Sequence, residues 1–116
     1  MISSVLAMTL AAAAPGASAA DSIARARKAY SACLSGFMKK SLKDKAEDAA
    51  FESGLAPACV TQEQAFRAAV ISADTAAGIK RAAAEENAKF EVDDILNNTK
   101  EMFKDYKSTN TSPGGS

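Results

Sequence analysis

Nearly half of this chain lacks the residues that ordinarily end a helix. No proline lies between Ala58 and Ser112, and Gly78 is the only glycine in that stretch. Proline and glycine are the least favourable residues inside helices, so their scarcity favours long helical segments. Apolar residues recur there at intervals of three and four, which places them on one helical face. The sequence therefore predicts an all-α protein.

The long segment is compatible with one helix or with two. A polar, alanine-rich stretch over residues 80–89 separates two apolar groups. Ala77 and Ile95 are 18 residues apart, so five turns of an unbroken helix would keep both groups on one face. Such a helix, over 62–106, would be about 67 Å long. A compact domain of this size has a radius of gyration of only about 12–13 Å.

A bend would divide this long helix into two shorter ones that fit a compact domain, and it is the alternative that we favour. We place it at residues 73–78, where Gly78 lies. Asp74 or Thr75 would then cap a fourth helix, because short polar side chains accept hydrogen bonds from the first free N–H groups of a helix. The expected fold is a small three- or four-helix domain.

An amphipathic first helix is predicted from Ser22 to Leu42. Its apolar residues are spaced by three and four. Asp21 or Ser22 is the expected N-cap. Lys39 and Lys40 lie in the last turn, where cations interact favourably with the helix dipole.

Two further helices are expected before the long segment. A short one is predicted over residues 44–53, ended by Gly54 and Pro57. The following residues would then form a turn. A third helix is predicted to begin at Thr61, which forms a capping box with Gln64.

The N-terminal segment is typical of a secretory signal. All 28 charged residues lie between Asp21 and Lys107, and eight of the first twenty residues are alanine. The apolar run over residues 2–14 is too short to span a hydrocarbon core of about 30 Å. The usual basic residue before the run is absent. A buried alanine-rich helix and an uncleaved membrane anchor are the alternatives.

Small residues indicate where a signal peptidase would cut. Ala17 and Ala19 fit an A-x-A site, so cleavage is predicted between Ala19 and Ala20. The predicted organisation is a signal peptide over 1–19, a helical domain over 20–107 and a disordered tail over 108–116. The mature protein would be periplasmic or secreted, with no stable membrane anchor after cleavage.

Export favours a disulfide between Cys33 and Cys59, the only cysteines. In the chain-entropy model, closing a loop of about 27 residues stabilises a fold by roughly 3.5 kcal/mol. Leu, Ile, Val and Phe make up only 16 of the 97 mature residues, below the ~20% expected of a well-filled core. Free buried thiols and redox chemistry are the alternatives, and the sequence has no C-x-x-C motif.

Composition argues against several classes of function. The chain has no histidine, which excludes imidazole catalysis and His-ligated metals. Fourteen basic residues balance fourteen acidic ones, so no nucleic-acid partner is expected. The carboxylate clusters lack the spacing of a calcium loop and fall on the predicted solvent faces. We therefore expect no catalytic residues, no metal and no cofactor, and we do not expect an enzyme.

Recognition of another molecule is the remaining function. The helix from Val92 to Tyr106 carries a narrow seam of large apolar residues with charged flanks. This seam either packs into its own domain or offers a surface to a protein partner or a second copy. The leading hypothesis is an exported, non-catalytic protein acting through protein–protein contacts. The alternative of another class is an enzyme or small-ligand-binding protein with a pocket between helices.

Several features together resemble small exported helical bacterial proteins with one disulfide, most of which have no assigned function. They are the signal segment, a mature chain near 100 residues, Tyr30-Ser31-Ala32-Cys33 on the first helix, and Ala58-Cys59 shortly before Gln62-Glu63. Size, helical content and the single disulfide also resemble the HdeA-type periplasmic acid-stress chaperones. That resemblance implies a holdase in which acid loosens the fold and exposes a core of Phe37, Phe66 and Phe103.

Overall fold

The computed structural model describes residues 18–113, and four helices make up nearly all of this range. They are α1 Ala19–Lys43, α2 Asp48–Ala58, α3 Val60–Ala76 and α4 Arg81–Thr109. The prediction of an all-α domain held by one disulfide is confirmed, with four helices rather than three. None of these helices is both long enough and apolar enough to cross a membrane.

α2 and α3 lie end to end, and both run antiparallel to α1. Tyr30 of α1 stacks on Phe66 of α3, with ring centroids 6.3 Å apart. Further along α1, Phe37 stacks on Phe51 of α2 at 5.6 Å. Residue numbers thus rise along α1 while they fall along α3 and α2. Only Cys59 separates the two shorter helices.

The disulfide lies at that break. Cys33, in the middle of α1, is bonded to Cys59, and their Cα atoms are 6.0 Å apart. Cys59 has an irregular backbone conformation, with φ −129° and ψ 39°, and is buried. The bond therefore fixes the junction between α2 and α3 against the middle of α1.

α4 runs parallel to α1 and completes the bundle. Arg27 Nη2 lies 2.7 Å from Glu91 Oε2 near one end. Near the other end, the Lys107 Nζ donates to the Ala46 carbonyl at 3.0 Å. The carboxyl ends of α1 and α4 consequently lie at the same end of the bundle.

Aromatic rings fill the core on both sides of the disulfide. Phe51 stacks on Phe103 of α4 at 3.9 Å as well as on Phe37, while Tyr30 and Phe66 form the second group. Elsewhere α4 contributes small residues, and Ala84 and Ala88 are fully buried. Other buried apolar residues are Leu34, Met38, Leu55, Val70 and Val92.

The helix boundaries correct several predictions in the first half of the chain. α1 begins three residues earlier than expected because Ser18 is its N-cap, and the Ser18 Oγ accepts from the Asp21 N–H at 3.1 Å. α2 begins at Asp48 rather than at residue 44, and it does not end at Gly54 but continues through Pro57 to Ala58. A Cβ at position 54 would lie 2.9 Å from Phe37 Cζ, so this glycine allows close packing of α2 on α1 rather than ending a helix.

The predicted caps of the last two helices are also wrong. α3 starts at Val60 with Cys59 at the N-cap, so Thr61 lies inside the first turn. The bend is close to its predicted place, but Lys80 precedes α4. Asp74 and Thr75 instead lie in the last turn of α3 and form hydrogen bonds there. The Asp74 carbonyl accepts from the Ile79 N–H at 3.0 Å, and the Thr75 hydroxyl donates to the Ile71 carbonyl at 2.9 Å.

α4 extends past residue 107, where the sequence places the end of the helical domain. It includes Ser108 and Thr109, which the sequence assigns to the tail. Both hydroxyls donate to the Asp105 carbonyl at 2.9 Å. Residues 114–116 lie outside the described range.

Two glycines give a matched test of the helix assignments. Gly36 lies inside α1, and a Cβ added there would have nothing within 4 Å, whereas Gly78 has φ +90°. Gly36→Ala should raise the free energy of unfolding by about 0.5–1 kcal/mol because alanine favours the helix. Gly78→Ala should lower it by about 1 kcal/mol or more because a Cβ disfavours that conformation.

Chemical denaturation of both variants measures the two changes. A stabilised Gly78→Ala protein would contradict the assigned bend, and a strongly destabilised Gly36→Ala protein would contradict the open position of residue 36.

Candidate functional site

A groove of about 720 Å³ lies between the carboxyl ends of α1 and α4, and one side is open to solvent. The parallel arrangement of the two helices creates it, together with the loop that joins α1 to α2. Its floor is apolar and contains Leu42, Ala46, Phe103 and Tyr106. Its volume falls within the roughly 300–1,000 Å³ typical of small-ligand pockets.

Among residues 18–113, four lysines and no carboxylate line this groove. They are Lys39, Lys43, Lys45 and Lys107. Hydroxyl and amide side chains supply the rest of the lining: Ser41, Asn110, Thr111 and Ser112. We refer to this feature as the lysine-rimmed groove.

The four lysines differ in how they are held. The Lys107 ammonium is fixed by the Ala46 carbonyl at 3.0 Å and by Asp48 Oδ1 at 3.2 Å, and it lies 5.6 Å from the centre of the Phe103 ring. Within residues 18–113, the ammonium groups of Lys39, Lys43 and Lys45 form neither ion pairs nor hydrogen bonds. These three side chains are available to an anion.

The apolar floor is anchored in the core. Phe103 is 1% exposed and stacks on Phe51 at 3.9 Å. The Ser41 hydroxyl is satisfied by the Phe37 carbonyl at 2.8 Å. The floor is thus supported from below by packed residues, which makes the groove a preformed feature of the fold.

Both helices that border the groove end in the same backbone motif. The Lys45 N–H donates to the Leu42 carbonyl at 3.2 Å and the Ala46 N–H to the Ser41 carbonyl at 2.9 Å. In α4, the Thr111 N–H donates to the Tyr106 carbonyl at 2.9 Å. This is the Schellman pattern, which satisfies carbonyls at a helix end and requires one residue in the left-handed conformation.

An unusual residue occupies the left-handed position after α1. Glycine is favoured there, and asparagine is tolerated, as at Asn110 with φ 54°. Lys45 has φ 53°, and a residue with a Cβ costs roughly 1–2 kcal/mol in that conformation. Local strain of this kind is concentrated at functional sites. Here the strained residue is a lysine at the rim of the groove.

Replacing Lys45 tests the strain directly. Lys45→Gly should raise the free energy of unfolding by about 1 kcal/mol because glycine adopts φ near +53° without a steric penalty. Lys39→Gly removes a rim lysine from the regular part of α1 and should lower it by about 1 kcal/mol. Denaturant titrations compare the two, and equal losses in both variants would contradict strain at Lys45.

The predicted site residues have separate locations. Cys33 and Cys59 are bonded in the middle of the bundle. Ala19 and Ala20 form the first turn of α1 and are exposed, so the predicted cleavage would fall at a helix start and would remove the Ser18 cap. The signal segment up to residue 17 lies outside the described residues.

The predicted recognition helix from Val92 to Tyr106 packs largely into its own domain. Val92, Thr99 and Phe103 are buried against the other helices. Of its large residues, Met102 is exposed and Tyr106 reaches the groove. Two residues of this segment, Phe103 and Tyr106, line the lysine-rimmed groove.

Sequence reasoning missed the groove. The sequence placed Lys39 in the last turn of the first helix and Lys45 on the outward face of the second, with no binding role for either. The available signal was the group of lysines over residues 39–45, with no glycine where the first helix would end. That group does not reveal that the end of α4 lies beside it.

A buried tyrosine lies away from the groove. Tyr30 is fully buried, and its hydroxyl has no hydrogen-bond partner within the described residues. Burial, with a smaller contribution from the charge of Glu63, raises the pKa of Tyr30 to about 12 against the opposing effect of Arg67. The hydroxyl contributes an unsatisfied polar group to an otherwise apolar core.

Tyr30→Phe should raise the free energy of unfolding by about 1 kcal/mol, because no hydrogen bond is lost and an unpaired hydroxyl leaves the core. The wild type should also lose stability above pH 10. The unfolded chain releases the Tyr30 proton near 10.0, while the folded chain holds it to about 12. Tyr30→Phe should reduce that loss in denaturation curves measured between these two values.

Tyr106→Phe supplies the control, since that ring is only partly buried. It should leave the alkaline loss of stability in place. A Tyr30→Phe protein that is less stable than wild type would show that the hydroxyl has a partner in solution.

Comparisons of the chain with protein-family models, curated proteins and solved structures find no match. The resemblance to HdeA-type chaperones therefore stays a prediction from size, helical content and the disulfide.

Proposed function

We propose that this chain is an exported, non-catalytic binding protein whose ligand site is the lysine-rimmed groove. The observation that carries the proposal is the combination of an apolar floor and a lysine rim, with no carboxylate in the part of the lining that the structure describes. A site of this composition suits binding and orientation of a ligand. Nucleophilic catalysis with lysines and hydroxyls would need a hydroxyl held by a lysine base. The Ser41 hydroxyl instead donates to the Phe37 carbonyl at 2.8 Å, and the Thr111 hydroxyl lies 2.7 Å from that of Thr109.

Export is supported by the disulfide and by the N-terminal sequence. Cys33 and Cys59 are bonded, and such bonds persist mainly in oxidising compartments. The uncharged segment before Asp21 and the small residues at Ala17 and Ala19 fit a cleavable signal. Of the described residues, cleavage would remove only the Ser18 cap and the first residue of α1, which lie far from the helix end that borders the groove.

Intact mass measurement tests the export step. The full sequence, produced in a bacterium with a periplasm, should yield a periplasmic protein spanning residues 20–116 and lacking two hydrogens because of the disulfide. Ala19→Asp is the control, since an acidic residue blocks the cleavage site. Ala19 is exposed, so the substitution should spare the fold. Retention of Met1 together with two free thiols in the wild-type protein would contradict export.

A further inference from the structure

We infer that the lysine-rimmed groove binds a single-chain amphiphile with a monoanionic head, such as a medium-chain carboxylate, taken up as a monomer from solution. This inference rests on the proposed function, because it assumes that the groove is the binding site. It adds the charge, the size and the two-part character of the ligand.

The charge of the ligand follows from the rim. Within residues 18–113, Lys39, Lys43 and Lys45 have no anionic partner and no carboxylate lines the groove. The Lys107 ammonium already contacts Asp48, at 3.2 Å. The three unpaired cations are therefore the groups that a ligand's head would meet.

The need for an apolar portion follows from the floor. Leu42, Ala46 and Phe103 line the groove below the lysines. A small inorganic anion would contact the rim alone and leave this surface in water. Burial of an alkyl chain against it is favourable in proportion to the area covered.

The helix ends favour a monoanion over a phosphate. α1 and α4 both direct their carboxyl ends toward the groove, and helix carboxyl ends carry partial negative charge. Phosphate sites in proteins instead use helix amino ends, where free N–H groups point at the ligand. The groove therefore offers an anion lysines alone, without the free N–H groups that phosphate sites use.

The size of the groove favours a small molecule over a protein or a membrane. Its volume of about 720 Å³ suits one small ligand. A stable protein interface buries about 800 Å² on each partner. The large apolar residues that are more than a third exposed all lie outside the groove: Val60, Ile79, Phe90 and Met102. Of these, Met102 lies one helical turn before Tyr106 of the groove, and a single side chain falls far short of such an interface.

Titration of the ¹⁵N-labelled mature protein with decanoate, decylammonium, decanol and acetate separates these contributions. Each is used below its micelle or solubility limit, and NMR follows the amides of Leu42, Ala46 and Phe103. Decanoate should give saturable shifts at these amides. Acetate and decylammonium should bind at least about tenfold more weakly, because one lacks the chain and the other repels the rim.

Two double variants with equal charge change locate the head group. Lys43→Gln with Lys45→Gln removes rim lysines, whereas Lys28→Gln with Lys89→Gln removes exposed lysines outside the groove. The rim variant should weaken decanoate binding by about three- to tenfold, the range expected for two exposed charge contacts. The control should bind as the wild type does.

Lys45→Gly distinguishes a lost contact from a damaged fold. This variant should be more stable than the wild type and yet bind decanoate more weakly, a combination that misfolding does not produce.

Decanol binding in the groove at least as tightly as decanoate would overturn the anionic ligand and leave the proposed binding site standing. Binding only to phosphatidylglycerol vesicles, with no response to monomeric decanoate, would also overturn the inference. If none of the ligands shifts the groove amides, both the inference and the groove as the binding site fail.

Discussion

The bond between Cys33 and Cys59 is the constraint on which the rest of the bundle depends. It joins the middle of α1 to the single residue between α2 and α3. Without a fixed junction, two short helices would have to be positioned by few large side chains, since Leu, Ile, Val and Phe are scarce. Cross-linking this junction restricts the unfolded chain and brings α2 and α3 together along α1. The two aromatic groups of the core then pack on either side of it.

The groove is a consequence of the same arrangement. Because α2 and α3 lie end to end, the chain crosses the length of the bundle three times. Its first and last helices therefore run parallel. Their carboxyl ends therefore meet, each with a Schellman motif beside the other. Cations are favoured at such ends, so lysines there also have a structural role. Lys107 is paired with Asp48, whereas within residues 18–113 the charges of Lys39, Lys43 and Lys45 have no carboxylate partner.

The sequence predicted the class of fold from local signals, and it predicted the disulfide from the expected export and the count of two cysteines. Spacing of apolar residues predicted the helices, and Cys33 had only one possible partner. Caps and ends were less predictable. Gly54 has the sequence signature of a helix end, yet in the structure it permits contact with Phe37. Thr61 has the signature of a cap, but the preceding disulfide residue starts the helix at an earlier position. The groove was beyond prediction because its two sides are about sixty residues apart and no periodicity indicates that α1 and α4 end together.

The strained backbone conformation of Lys45 supports the binding interpretation. Charge compensation of the α1 dipole does not require a lysine at this position, because Lys40 and Lys43 already lie in the last turn. Glycine would complete the Schellman motif without strain. A lysine with φ 53° is therefore unfavourable for folding and redundant for the dipole. Its distinguishing property is its position, at the rim of the groove and opposite the end of α4. A strained residue whose only evident gain is an available charge beside an apolar floor is best explained by a ligand that uses that charge.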